Sequence, residues 1–273
     1  MDFSRYRDQR PNSSATRRAF ASPAWPALLL GGLAIAAPAR ADNPGYDRPG
    51  LGFSPAVLDA GAMTVEQGLP SWSENRQGGI RSSQYSADSL LRLGLGNALE
   101  LQFGTTPWNY MQQTGPGTDQ RSVGRGDSSL ALKLALPSSS TAFSWGLLAN
   151  VEFTDGAAAF RNSQRQVSLG MVLSRQLDAA DSLGTYADVL QAGSRQGFTV
   201  AVNRGHALTS TLSIYAEAAW QRQTGQGTGT VAGGGLAWMA SRSVQLDASF
   251  RHHVSGQSDQ WWAGLGASIY FGH

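Results

Sequence analysis

The 273-residue sequence has no cysteine, which excludes disulfides, thiolate metal sites and thiol nucleophiles. Only 15% of its residues are charged, well below the roughly 25% of an ordinary soluble domain. Lysines are few. The four histidines fall at no spacing that suits a metal ion. Beyond residue 41, no stretch holds 18 consecutive apolar residues, so no helical membrane span is expected. Helical periodicity is scarce throughout. Gly233-Gly234-Gly235 is followed by neither a lysine nor a strand-to-helix switch, so it does not read as a phosphate loop. No cofactor and no metal are expected, and nothing here marks an enzyme.

The formal net charge of +2 belongs to the N-terminus. Residues 1–41 hold six arginines (Arg5, Arg7, Arg10, Arg17, Arg18, Arg40) and two aspartates (Asp2, Asp8). Without them 15 basic and 17 acidic residues remain, a net of −2, so a nucleic-acid partner is not indicated. The same stretch has three parts: a basic region closed by Arg17-Arg18, an apolar run from Ala27 to Ala37, and Ala39-Arg40-Ala41 as a small-x-small cleavage site. That is the pattern of a secretory signal peptide. The arginine pair also resembles a twin-arginine export signal, but it reads more simply as the leader's positive charge.

What is present after the leader is alternation. Leu130, Leu132, Leu134 and Leu136 alternate with Ala131, Lys133 and Ala135; Phe143, Trp145, Leu147, Ala149, Val151 and Phe153 repeat the pattern after a Pro-Ser turn. About twelve such segments recur between residues 62 and 271. Most are longer than the 5–6 residues typical of a soluble strand and suit a tilted crossing of a bilayer. Every second connection is short. The others are expected to be longer, above all Ser71–Gly79 and Trp108–Gly126, the latter a candidate lid. Short turns at one end and loops at the other mark an outer-membrane barrel.

The two faces call for different solvents. One carries leucine, valine and phenylalanine, with no charge except near strand ends. The other carries Glu66, Asp88, Arg92, Glu100, Lys133, Glu152, Asp188, Glu217, Asp247 and Arg251. An arginine or lysine facing lipid at mid-bilayer costs about 2–4 kcal/mol, so the charged face is expected to line the lumen as a solute path or as a self-paired filling. Trp72, Trp108, Tyr110, Trp145, Trp220, Trp238, Trp261 and Tyr270 flank the strands as interfacial aromatics. The expected organisation is a signal peptide at 1–41, a periplasmic segment at 42–61 and an all-β antiparallel barrel of about 12 strands at 62–273.

The segments "SPAVLDAGAMTVEQGLPSW", "YSADSLLRLGL", "GRGDSSLALKLALP", "VEFTDGAAAFRN" and "GGGLAWMA" resemble the outer-membrane transporters labelled meta-pathway phenol degradation proteins. The resemblance covers about Tyr46 to Gly272. It implies a barrel and uptake of small solutes, aromatic ones among them, and it names no binding residues. The partners expected are outer-membrane lipid, a small-molecule solute, and the export and barrel-assembly machinery. A rival reading takes His253 and Ser255 as the dyad of a lipid-modifying hydrolase, because a nucleophile needs a base within hydrogen-bond reach. By the period-two register these two residues face the lumen, away from lipid. A third reading is a closed structural barrel.

Overall fold

The computed structural model describes residues 45–225 and 227–272; the signal peptide expected at 1–41 lies outside them. The described chain is almost entirely antiparallel strand: β1 (Met63–Gln77), β2 (Ile80–Gly94), β3 (Leu99–Gly115), β4 (Thr118–Gly124), β5 (Ser128–Leu136), β6 (Phe143–Glu152), β7 (Gln166–Gln176), β8 (Asp181–Ala192), β9 (Arg195–Ala207), β10 (Leu212–Gln223), β11 (Gly227–Met239), β12 (Val244–Gly256) and β13 (Trp261–Phe271). Each strand pairs with its sequence neighbours, except that β4 and β5 do not pair with each other, and β1 pairs with β13, so the sheet closes on itself. Both β4 and β5 pair with the same edge of β3. They are one wall position interrupted at residues 125–127, and the barrel therefore has twelve strands. Closure satisfies the backbone N–H and C=O groups that hydrocarbon cannot.

Alternation sorts the side chains as expected. Leu130, Leu132, Leu134, Leu169, Val202, Ile214, Leu246 and Leu265 are exposed on the outside, where lipid replaces water. The acids and bases of the other face are buried inside. Lys133, the chain's single lysine, sits between exposed Leu132 and Leu134 and is 0% exposed. Where an arginine does share the outward parity it lies at a rim: Arg204, on β9, pairs with Asp181 at 3.1 Å.

The two connections expected to be longest are not loops. β1 and β2 run on to a tight turn at Gly78-Gly79, whose φ values of 58° and 80° suit glycine. β3 and β4 likewise form a hairpin that turns at Gly117, so Trp108–Gly126 is an extension of the wall and not a lid. In these extensions both faces meet water, so residues such as Gln112, Gln113, Asp119, Gln120 and Arg121 carry no period-two signal, although the ladder continues. The irregular connection is residues 153–165. It is pinned to the β4–β5 break: Asp127 accepts from the backbone N–H of Gly156 and of Asn162 (2.7 and 2.6 Å), and Asp155 accepts from the Ser128 N–H (2.8 Å) and pairs with Arg125. These bonds hold the Asp155 carboxyl below the usual range, the Ser128 N–H first among them.

Residues 45–61 of the segment expected at 42–61 in the periplasm instead fold into the barrel. Tyr46 and Phe53 are each 1% exposed, and Leu58 is as deeply buried. The Tyr46 hydroxyl donates to the Ser243 carbonyl in a periplasmic turn, the Leu51 N–H reaches Glu217 inside the barrel, and Ala62 returns to the lower end of β2. The segment is a hairpin-like plug in the periplasmic half of the lumen.

Leu132→Arg puts a charge on the lipid face at mid-height. It is expected to cost about 2–4 kcal/mol, read as a lower urea midpoint for the barrel refolded in lipid vesicles. Ser139→Arg, in a periplasmic turn, should leave that midpoint unchanged.

Candidate functional site: the plugged lumen

The interior wall carries two kinds of surface, and the plug matches both. Against β5 to β11 it presents Leu51 and Phe53. Phe53 packs among Ala131, Leu148, Val172, Tyr186 and Ala201, with the Tyr186 ring edge-on at 5.9 Å. Alanines at 131 and 201 leave the space that the phenyl ring fills. The chain passes so close to the wall that a Cβ on Gly52 (φ +95°) would stand 3.0 Å from the Tyr186 ring. Glycine is required there on both counts.

Against β1, β2, β3 and β5 the plug presents charge. Glu66 accepts from the backbone N–H groups of Asp47 and Arg48, each at 2.9 Å. Arg92 bridges three partners, donating to Glu66 (2.8 Å), to the Gly45 carbonyl (2.9 Å) and in bidentate fashion to Glu100 (2.7 and 2.9 Å). The Lys133 ammonium donates to Asp47 (2.8 Å) and stands 3.3 Å from Glu100. Gln102 donates to the other Asp47 oxygen, and Glu100 also accepts from the Leu58 N–H. The Asp47 carboxylate further accepts from the Ser54 N–H, which closes the plug on itself.

A second set of contacts lies across the lumen. Arg48 donates to Asp247 (3.0 Å) and to the Leu265 carbonyl (3.1 Å), while Gln245 donates to the Arg48 carbonyl (2.8 Å). Glu217 accepts from Leu51 on one oxygen and from Arg251 on the other (2.8 and 2.7 Å), and Arg251 lies over the Trp262 ring at 4.3 Å. Desolvating this many charges is tolerable only because nearly every one is paired and hydrogen-bonded.

All ten lumen residues named from sequence point inward, but they are not equivalent. Glu66, Arg92, Glu100, Lys133, Glu217 and Asp247 touch the plug directly, and Arg251 acts through Glu217. Asp88 accepts from Thr106 (2.9 Å) on the wall itself. Glu152 and Asp188 are buried on the β6–β8 side. Sequence reasoning missed the plug's half of the network, Asp47, Arg48 and Phe53. The signal available was compositional: "YDRPGLGF" mixes paired charges with buried-type aromatics in a stretch with no strand period.

The proposed dyad does not assemble. His253 Nδ1 lies 2.6 Å from the hydroxyl of Ser258, while Ser255 is exposed. Nearby Asp259, in the β12–β13 connection, is half-buried with one carboxyl oxygen shielded and unpartnered, and this desolvation pushes its carboxyl up to about 7.

Two measurements follow from these groups. Arg92→Met strands Glu66, Glu100 and Asp47 around a lost cation and is expected to cost about 3–5 kcal/mol, seen as a fall in the urea midpoint. For Asp259, the folded state holds a proton that the unfolded chain releases near pH 4. Stability is therefore expected to fall as pH rises from about 4 to about 7, and a urea series over that range should show the slope flatten in Asp259→Asn.

The barrel fold has known counterparts. The crystal structure of the COG4313 outer membrane channel from Pseudomonas putida F1 is similar at a TM-score of 0.64 and 14% identity, over 79% of this chain and 97% of that one. The KdgM porin in complex with disordered oligogalacturonate is similar at 0.52 and 10%, over 77% and 99%. The beta domain of the Bordetella autotransporter Brka reaches 0.50 and 12%, over 78% and 100%. What these share with the chain is the fold of an outer-membrane barrel. No curated protein matches the sequence. A family profile matches residues 46–271, from the first turn of the plug to the last residue of β13, and the chain belongs to the family described as "Putative MetA-pathway of phenol degradation".

Proposed function

We propose that the chain is an outer-membrane channel for passive passage of small solutes, aromatic ones among them, and not an enzyme. One observation carries this reading. The lumen is filled by a segment of chain that enters and leaves at the periplasmic end, and not by the wall's own side chains alone. Barrels of about eight strands are filled by their side chains and those of 16–18 hold water. Twelve strands leave a bore that an extra segment can close and, by moving, open. The channel and porin named for the first two similar structures support the same reading, as does the phenol label of the family. On this reading residues 1–41 are cleaved on export, the assembly machinery inserts the barrel, and its lasting partners are outer-membrane lipid and the solute.

The lipid-modifying alternative has little support, because His253 and Ser255 are not brought together. The test is electrical. In planar bilayers the full-length barrel is expected to pass small currents. A barrel lacking residues 45–58 should pass clearly larger currents, because a wider ring without its filling segment leaves room for water. Phe53→Ala, which trims the plug without removing it, should give an intermediate rise. Zero current from all three, with each barrel shown to be folded, would leave the closed structural barrel standing instead.

A further inference from the structure

The carboxylates of the lumen fall into two groups. Those at the level of the plug are paired: Asp47, Glu66, Glu100, Asp247 and Glu217 each have an arginine or lysine nitrogen within 3.0 Å. Glu74, near the outer mouth, is held by Arg76 and Arg81. Asp88 accepts from Thr106. Glu152 and Asp188 differ. Among the described residues no lysine or arginine stands within ion-pair distance of either, and one carboxylate oxygen of each has no hydrogen-bond partner. They are 6% and 3% exposed.

The registers put these two acids on one inward track. Glu152 lies opposite Gln166, and Asn150, two residues lower on β6, lies opposite Ser168. Residues opposed across an antiparallel pair stand about 5 Å apart at Cβ, so these four side chains form one patch. Ser168 lies opposite Leu190 on β8, and one step lower Asp188 lies opposite Thr199. The track thus descends from the outer end of β6 to the edge of the Phe53 pocket, beside Tyr186. Asn150 and Gln166 are 7% and 8% exposed, and their side-chain carbonyl oxygens also lack partners. The unpartnered atoms of Asn150, Glu152, Gln166 and Asp188 are therefore all oxygens that accept. A buried carboxylate and a buried carbonyl are each costly alone, and a positively charged N–H donor satisfies both. The inward face of β6 to β9 supplies no such donor below the rim: Arg195 shares its parity but stands exposed at the β8–β9 turn. Asp127, at the same end, adds a further negative charge and accepts only backbone N–H groups, from Gly156 and Asn162.

We propose that this track is a cation filter above the plug, a site for the primary ammonium group of a small solute, which makes the channel prefer such solutes to anions. The inference rests on the channel reading. Carboxylates on a pore wall select cations, and here Glu152 and Asp188 supply the charge that no base of the wall cancels. The Asn150 and Gln166 carbonyls add a second discrimination. They accept from an ammonium N–H, whereas a quaternary ammonium has none to give.

Planar-bilayer recordings from the full-length barrel test both parts. Under a KCl gradient the reversal potential is expected on the potassium side of zero, and Glu152→Gln with Asp188→Asn should bring it back toward zero. Both substitutions keep the side chain's size and remove a buried charge that has no ion-pair partner, so the barrel is expected to fold; its heat-dependent gel mobility checks this. Asp119→Asn, on the exposed β3–β4 hairpin, removes a charge outside the bore and should change nothing. With ethylammonium chloride opposing tetramethylammonium chloride, the barrel is expected to prefer ethylammonium. Asn150→Leu with Gln166→Met keeps the volume and removes the acceptors, and should erase that preference. A reversal potential at zero or on the chloride side, or one that Glu152→Gln with Asp188→Asn leaves in place, would overturn the filter and leave the channel reading standing. An ethylammonium preference that survives the loss of both carbonyls would be selection by size, and would overturn the ammonium site. No current from the folded barrel would overturn the channel reading and the filter with it.

Discussion

Hydrocarbon offers no partner to a peptide group, and every feature of this chain follows from that constraint. It forces the strands into a ring and fixes the alternation that places leucine outside and charge inside. It also explains why so few charged residues suffice: only the inner face and the rims can hold them. Where the ring's ladder fails, between β1 and β2, a glutamine side chain supplies the missing bonds.

Inside, the controlling factor changes from the backbone to charge pairing. An empty interior with Glu66, Glu100, Asp247 and Glu217 on its wall would face self-repulsion offset only by Arg92, Lys133 and Arg251. The plug alters this arrangement by adding one acid and one base, Asp47 and Arg48, at positions that complete both clusters. It also donates backbone N–H groups from Asp47, Arg48, Leu51 and Leu58 to wall carboxylates. Such a plug is held by many directional contacts and by two buried aromatics, Tyr46 and Phe53. That combination fixes its position closely while leaving it separable from the wall.

The barrel was legible in the sequence because two solvents imprint a period of two. Within the membrane zone the strand limits of β5, β6, β7 and β13 agree with the alternating runs to within two residues. Legibility ended where the solvent contrast ended. Above the membrane, β1 to β4 have water on both sides, so Gln112 and Gln113 face opposite ways with the same chemistry and the hairpins read as loops. The plug was hidden for a different reason. Its partners are far away in sequence, 199 residues in the case of Arg48 and Asp247, and no local pattern reports such a pairing. The wall charges were found as a set, but their division into those that grip the plug and those that do not, such as Glu152 and Asp188, depends on that hidden segment.

The position of the plug in the chain sets an order of events. It directly precedes β1, and β1 makes the closing seam with β13, the last strand to be synthesised. The segment is thus tethered beside the seam at the moment the curling sheet shuts. Captured before closure, it serves as a form around which the inner charges gather in pairs. Left outside, it would have to thread into a finished ring whose carboxylates had already found other company.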